Sequence, residues 1–185
     1  GSHCSPLLEK TIDTWMEKGD LLSPQFDKAL RSGLGDRCGW RISKPKALVI
    51  EGWFLGCSTS KKNSRNINTR NKYSQVLTDS ENNYREVIQK SLNSYQPIWE
   101  RFDRIWHLKA SRFEATSAWK SEQEMKMQQE RGSSLKGKSL DSFIRMIQTA
   151  IPQDDLQSID SNVVAKINPL REITWIGRKE NEPID

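Results

Sequence analysis

Long apolar runs are missing from this sequence: none approaches the roughly 18 residues that a bilayer-spanning helix needs, so no membrane segment is expected. Histidine is nearly missing too. There are two, and one belongs to Gly1-Ser2-His3, which reads as a tag remnant. With His107 as the sole native histidine, the sequence argues against a His-rich metal site or a Ser-His-Asp triad. The three cysteines, Cys4, Cys38 and Cys57, are odd in number and widely spaced. They suit a reducing compartment better than a disulfide framework, and their spacing is not that of a zinc site. No secretory leader is read, because the first apolar stretch is amphipathic and carries acids. Hydrophobic residues are sparse at 35% against 29% charged. Seven Trp and five Phe compensate, since each buries a large area. At 185 residues the chain is expected to form one domain with a core of its own.

The charge is unevenly spread. The net +5 is accounted for by Lys61, Lys62, Arg65, Arg70 and Lys72, which lie in the acid-free segment 58–72. The plain reading of that segment is a solvated, mobile loop. The alternative is a loop that meets phosphates or nucleic acid. Nucleic acid is the weaker choice, because the cations are dispersed and no recognised binding motif accompanies them.

Several elements can be read from pattern. Ser5-Pro6 starts a helix that carries Leu8, Ile12 and Trp15 and stops at Gly19. Lys46–Ile50 reads as a short buried strand, Thr78–Tyr95 as a helix and Arg104–Leu108 as a second strand. Ser111-Arg112-Phe113-Glu114 has capping-box spacing for a helix towards Gln129. After a break at Gly132–Lys138, Ser139 caps a helix with Leu140, Phe143, Ile144 and Ile147. The β-prone runs Val163–Ile167 and Ile173–Ile176, turned by Asn168-Pro169, close the chain. The strand–helix–strand order predicts an α/β fold, helix-rich, with a parallel sheet. Only two good parallel-strand candidates are found, so the sheet reads as part of a larger one, with an unpaired edge through which copies self-associate. Trp15, Trp106 and Trp175 are expected in the core, Trp40 and Trp53 beside a pocket.

Two motifs carry chemistry. Glu51-Gly52 after Leu48-Val49-Ile50 puts an acid at a strand's end, where α/β sheets bind ligands; the competing reading is an ordinary loop acid. Gly132-Ser133-Ser134-Leu135-Lys136-Gly137-Lys138-Ser139 spells a phosphate-loop signature. Residues 121–131 before it are polar and helical, so it reads as a helix–loop–helix connection, with Lys136 and Lys138 in a lid-like loop over 131–138.

Phe26-Asp27-Lys28, Gly35-Asp36-Arg37, Glu51-Gly52-Trp53-Phe54-Leu55-Gly56, Tyr95-Gln96-Pro97-Ile98-Trp99 and Trp119-Lys120-Ser121-Glu122-Gln123-Glu124 follow one another in order. Over Phe26–Ile151 this set resembles the D-glycerate 3-kinases, small-molecule kinases of the P-loop class. The resemblance implies residues 4–185 as the C-terminal part of a P-loop-kinase-like domain, with a partial parallel sheet. It implies ATP and Mg²⁺ as cofactors, glycerate as acceptor, and a cytoplasmic location, or the plastid stroma in a plant. Glu51 would hold Mg²⁺ through water or orient the nucleophile. Lys28, Arg31 and Arg37 would hold the acceptor carboxylate or the transferring phosphoryl. Asp27 and Asp36 would orient these groups, and Trp53 would wall the pocket. The family's strand and phosphate loop are not found upstream of Ser5. The expectation is therefore a kinase part inactive alone or, as the alternative, a non-catalytic partner-binding remnant of the fold.

Overall fold

Pro6 has no N–H to donate and sits where none is needed, in the first turn of a helix. The computed structural model describes residues 4–59, 76–112 and 114–183. In it, α1 runs Ser5–Lys18 with Pro6 in that turn, Cys4 as N-cap and Gly19 closing the helix at φ 73°. The elements that follow are β1 (Leu21–Asp27), β2 (Asp36–Ser43), α2 (Asp79–Leu92), α3 (Gln96–Trp99), β3 (Trp106–Ala110) and α4 (Glu114–Arg131). The last are α5 (Gly137–Ala150), α6 (Gln153–Gln157), β4 (Val163–Ile167) and β5 (Ile173–Arg178). Gly1-Ser2-His3, Phe113 and the basic residues Lys61, Lys62, Arg65, Arg70 and Lys72 lie outside the described residues. No helix among the described residues is long and apolar enough to cross a membrane.

The chain divides into two compact units, one of Gly52–Thr116 and Arg145–Asp185, the other of Ser2–Glu51 and Ser117–Ile144. The first is a sheet unit. β3 pairs parallel with β4, which pairs antiparallel with β5. The core gathers Cys57, Leu92, Ala150, Ile151, Leu156 and Ile159, with Phe54, Ile88, Ile105 and Met146 packed against them. α2 starts on a complete capping box: Glu81 N–H donates to Thr78 Oγ1 at 3.2 Å and Thr78 N–H to Glu81 Oε2 at 2.8 Å. Glu81 also receives Arg145 Nε at 2.6 Å, and this holds its carboxyl down at about 2.

The second is a hairpin unit, in which β1 and β2 form an antiparallel ribbon with a bulge between Gln25 and Phe26. Trp15 Nε1 donates to the Pro45 carbonyl at 2.8 Å, tying the chain after β2 to α1. This ribbon is not among the expected elements. Its Pro24 and Gly39 break the pattern of a core strand; a two-stranded ribbon has outer edges on which a proline is tolerated.

Two expectations are corrected. Lys46–Ile50 is not a strand: no described strand pairs with it, and Val49 is 91% exposed. Apolar β-prone residues need a ladder partner to become a strand. The parallel neighbour of β3 is therefore β4, not this segment. Trp106, expected in the core, is 59% exposed, because it stands on β3 at the margin of the sheet. The helix read as Thr78–Tyr95 ends at Leu92, and Pro97 opens the next short helix, α3. α5 starts two residues before Ser139.

His107 on β3 is half-buried beside Lys109 and Lys179. Desolvation first, then these cations, depress its pKa to about 4. The folded protein therefore binds fewer protons than the unfolded chain between about pH 4 and pH 6.5, so stability falls as pH drops through that window. His107→Gln should flatten the melting temperature there while leaving the further loss below pH 4, where Glu81 protonates. An unchanged pH profile in His107→Gln would refute the assignment.

Candidate functional site

The hairpin register brings the candidate residues together. β1 ends at Asp27, β2 begins at Asp36, and the two are register partners. The intervening turn is held by N–H bonds from Gly33 and Gly35 to the Leu30 carbonyl, at 3.2 and 2.8 Å. Its backbone is left-handed at Arg31 (φ 52°), Ser32 (φ 57°), Gly33 (φ 90°) and Gly35 (φ 81°). The two non-glycine residues cost about 1 kcal/mol or more each, a strain found preferentially at functional loops. A Cβ on Gly35 would lie 2.4 Å from the Phe26 ring, so only glycine fits. Lys28, Arg31, Asp36 and Arg37 are all exposed on this tip.

The acids at the tip are each engaged in part. Asp36 meets Arg31 at 3.7 Å, a weak exposed pair, while Arg37 gives Asp36 only its main-chain N–H at 2.8 Å. Asp27 is occupied: Oδ2 accepts from Arg131 at 2.6 Å and Oδ1 from the Ala29 N–H at 2.9 Å.

Arg131 ends α4, so the pair with Asp27 ties the tip to the connection that carries Lys136 and Lys138. The contact is close on the other side as well. A Cβ on Gly33 would come within 2.7 Å of the Ser134 main-chain carbon. The glycine–lysine–serine run 132–139 joins two helices, with Gly137, Lys138 and Ser139 already in α5. Lys136 and Lys138 are exposed. An open groove of about 450 Å³ lies along α4 here, lined by Glu124, Met125, Gln128, Leu135, Lys136 and Leu140.

What holds the connection is a buried ion pair, whose two residues were noted from sequence only as members of the Trp119–Glu124 segment and not as a pair. Lys120 (8% exposed) and Glu124 (4%) pair one helical turn apart on α4. Glu124 Oε2 also accepts the Leu135 N–H at 2.9 Å, and Lys120 Nζ lies 4.8 Å from the Phe143 ring centroid. The signal available in sequence was a lysine and a glutamate at i and i+4 beside Trp119. Of the two remaining candidates, Glu51 is exposed, with no described hydrogen bond or ion pair to the tip residues, and Trp53 is exposed in the sheet unit. Among the described residues no three His, Cys, Asp or Glu side chains converge on one point. A lone exposed carboxylate such as Glu51 nevertheless suits Mg²⁺, which keeps most of its waters and takes one or two carboxylates.

Lys120→Met strands the Glu124 carboxylate and should cost about 3–5 kcal/mol. Lys120→Met/Glu124→Leu should recover most of that, because neither charge is left unpaired. Urea unfolding decides; a double variant whose loss equals the sum of the losses in Lys120→Met and Glu124→Leu would show that the two side chains are not coupled.

No protein-family model matches the chain. No curated protein sequence matches it. Chains of solved structures do, two of which follow. One is D-glycerate 3-kinase from Cryptococcus neoformans var. grubii serotype A: TM-score 0.67, 18% identity, covering 96% of this chain and 67% of that one. The other is the YGR205w protein: TM-score 0.63, 18% identity, covering 96% of this chain and 64% of that one. The chain thus spans about two-thirds of the length of either protein and shares their fold.

Proposed function

We propose that this chain is the acceptor-binding part of a kinase that moves a phosphoryl group from ATP, with Mg²⁺, to a hydroxyl of a small hydroxy acid, D-glycerate. The observation that supports the reading is the hairpin turn, on which Lys28, Arg31 and Arg37 are all exposed within ten residues. The shared fold and the name of one structural neighbour support it.

Phosphoryl transfer asks a protein mainly for positioning and for charge stabilisation. Lys28, Arg31 and Arg37 hold the acceptor carboxylate or the transferring phosphoryl through charge-assisted bonds. Asp36 orients Arg31. Asp27, engaged by Arg131, acts through the tip by fixing its place. Lys136, just before α5, and Lys138, in its first turn, are exposed cations proposed for the nucleotide phosphates, and Trp53 is proposed as a pocket wall. When Mg²⁺ is bound it neutralises phosphate charge, and Glu51 would hold it through water. Among the described residues no buried strand leads through a glycine-rich loop into a helix, so the described residues offer no phosphate cradle. Turnover by this chain alone is not expected.

Calorimetric titration with D-glycerate tests the tip. Arg37→Ala and Lys28→Ala should each weaken binding about tenfold, the worth of one hydrogen bond to a charged group. Lys90→Ala on α2 should leave it unchanged. Absence of binding, or equal affinity in all variants, refutes the proposal.

One observation favours a second reading, a non-catalytic module that binds a partner. Trp106, Leu108 and Ile176 are exposed and share one face of the three-stranded sheet, and β3 stands at its edge. Such edges and faces pair with other chains. The chain should then scatter light as a dimer or larger at micromolar concentration, and Leu108→Glu should return it to monomer. A wild-type monomer removes this reading.

A further inference from the structure

Lys109 and Lys166 are register partners on the parallel strands β3 and β4, each the next-to-last residue of its strand. Register partners project to one face, where like charges directly opposite destabilise a sheet. Here both are largely enclosed, their side chains 19% and 9% exposed. Burying two neighbouring ammonium groups is tolerated only when anionic or carbonyl oxygens meet them.

Those oxygens come from one short terminal segment. Glu182 Oε1 lies 2.6 Å from Lys109 Nζ and 3.9 Å from Lys166 Nζ. Lys166 Nζ also donates to the Pro183 carbonyl at 2.8 Å. The segment is anchored just before, where Lys179 Nζ donates to the carbonyls of Ser158, at 3.2 Å, and Ile159. A carboxylate thus sits between two lysines at the carboxyl ends of parallel strands, the end at which such sheets take ligands. Paired ammonium groups that receive a carboxylate will receive a phosphate oxygen by the same chemistry.

We propose that Lys109 and Lys166 form an oxyanion-binding site of the phosphate class, and that Glu182 is its resident occupant, displaced when a ligand enters. The site lies wholly within the sheet unit and does not rest on the hairpin tip or on the kinase reading.

The test uses the full chain and pyrophosphate. Binding should release the segment, so that amides of residues 179–182 exchange at least about tenfold faster as pyrophosphate reaches millimolar levels. Glu182→Gln keeps the shape and removes the charge; it should bind pyrophosphate about tenfold tighter or more, and adding Lys166→Met should cancel that gain. Unchanged exchange at 179–182 in the wild-type chain overturns the proposal without any substitution that could disturb folding. A gain that survives Lys166→Met, or that disappears with Arg37→Ala, also overturns it, because the anion then binds elsewhere.

Discussion

The pairing of β1 with β2 decides what the hairpin unit can do. An antiparallel register assigns every side chain of the ribbon to a place, and a slip of one residue would move each to the opposite face. The bulge at Gln25/Phe26 shifts the count so that Asp27 stands opposite Asp36. Everything between them is then forced into a tight loop with four left-handed residues, two of them glycine. Lys28, Arg31 and Arg37 share that turn and its flanks as a consequence of the closure, and all three stay exposed.

The loop would be a poor clamp if it were free, since ordering an exposed loop costs conformational entropy that binding must repay. Two ion pairs of different character remove part of that cost. Arg131 holds Asp27 at the surface, where a single pair contributes little in water. Lys120 and Glu124 are buried, and their worth lies in geometry more than in net stability. Glu124 takes the Leu135 N–H as well, so the charge that must be paired inside the protein also fixes the segment before Lys136. This makes the 132–136 connection a held element of the unit, although its glycines and serines read as a break.

Local signals were legible in sequence and long-range ones were not. α1 declared itself through Pro6 and Gly19, α2 through the apolar spacing after Thr78, and β4 and β5 through β-branched runs flanking Asn168-Pro169. Each depends on residues a few positions apart. The strand read at Lys46–Ile50 failed because a strand is a relation between two segments, and composition cannot supply the partner. The β1–β2 ribbon escaped notice for the converse reason: its residues are poor strand formers, and pairing with each other overrides their propensity. The same division holds at the site. Lys28, Arg31, Asp36 and Arg37 were singled out through short motifs, and they lie on one hairpin turn, where Arg31 meets Asp36. Arg131 lies 104 positions from the aspartate it engages, a distance over which no motif reaches.

The two units handle charge in opposite ways. The hairpin tip leaves its cations exposed to water, where only a ligand with matched geometry would hold them. The sheet unit buries Lys109 and Lys166 and supplies a carboxylate from its own chain. An exposed cationic site binds weakly but at once, because nothing must move. A site filled by its own side chain binds only as strongly as a ligand exceeds that side chain, whose effective concentration is high because it is tethered. Affinity there is set by a competition, and loosening the Lys179 anchor would raise it without touching either lysine. That dependence on a residue outside the site separates a displaceable occupant from a fixed structural pair.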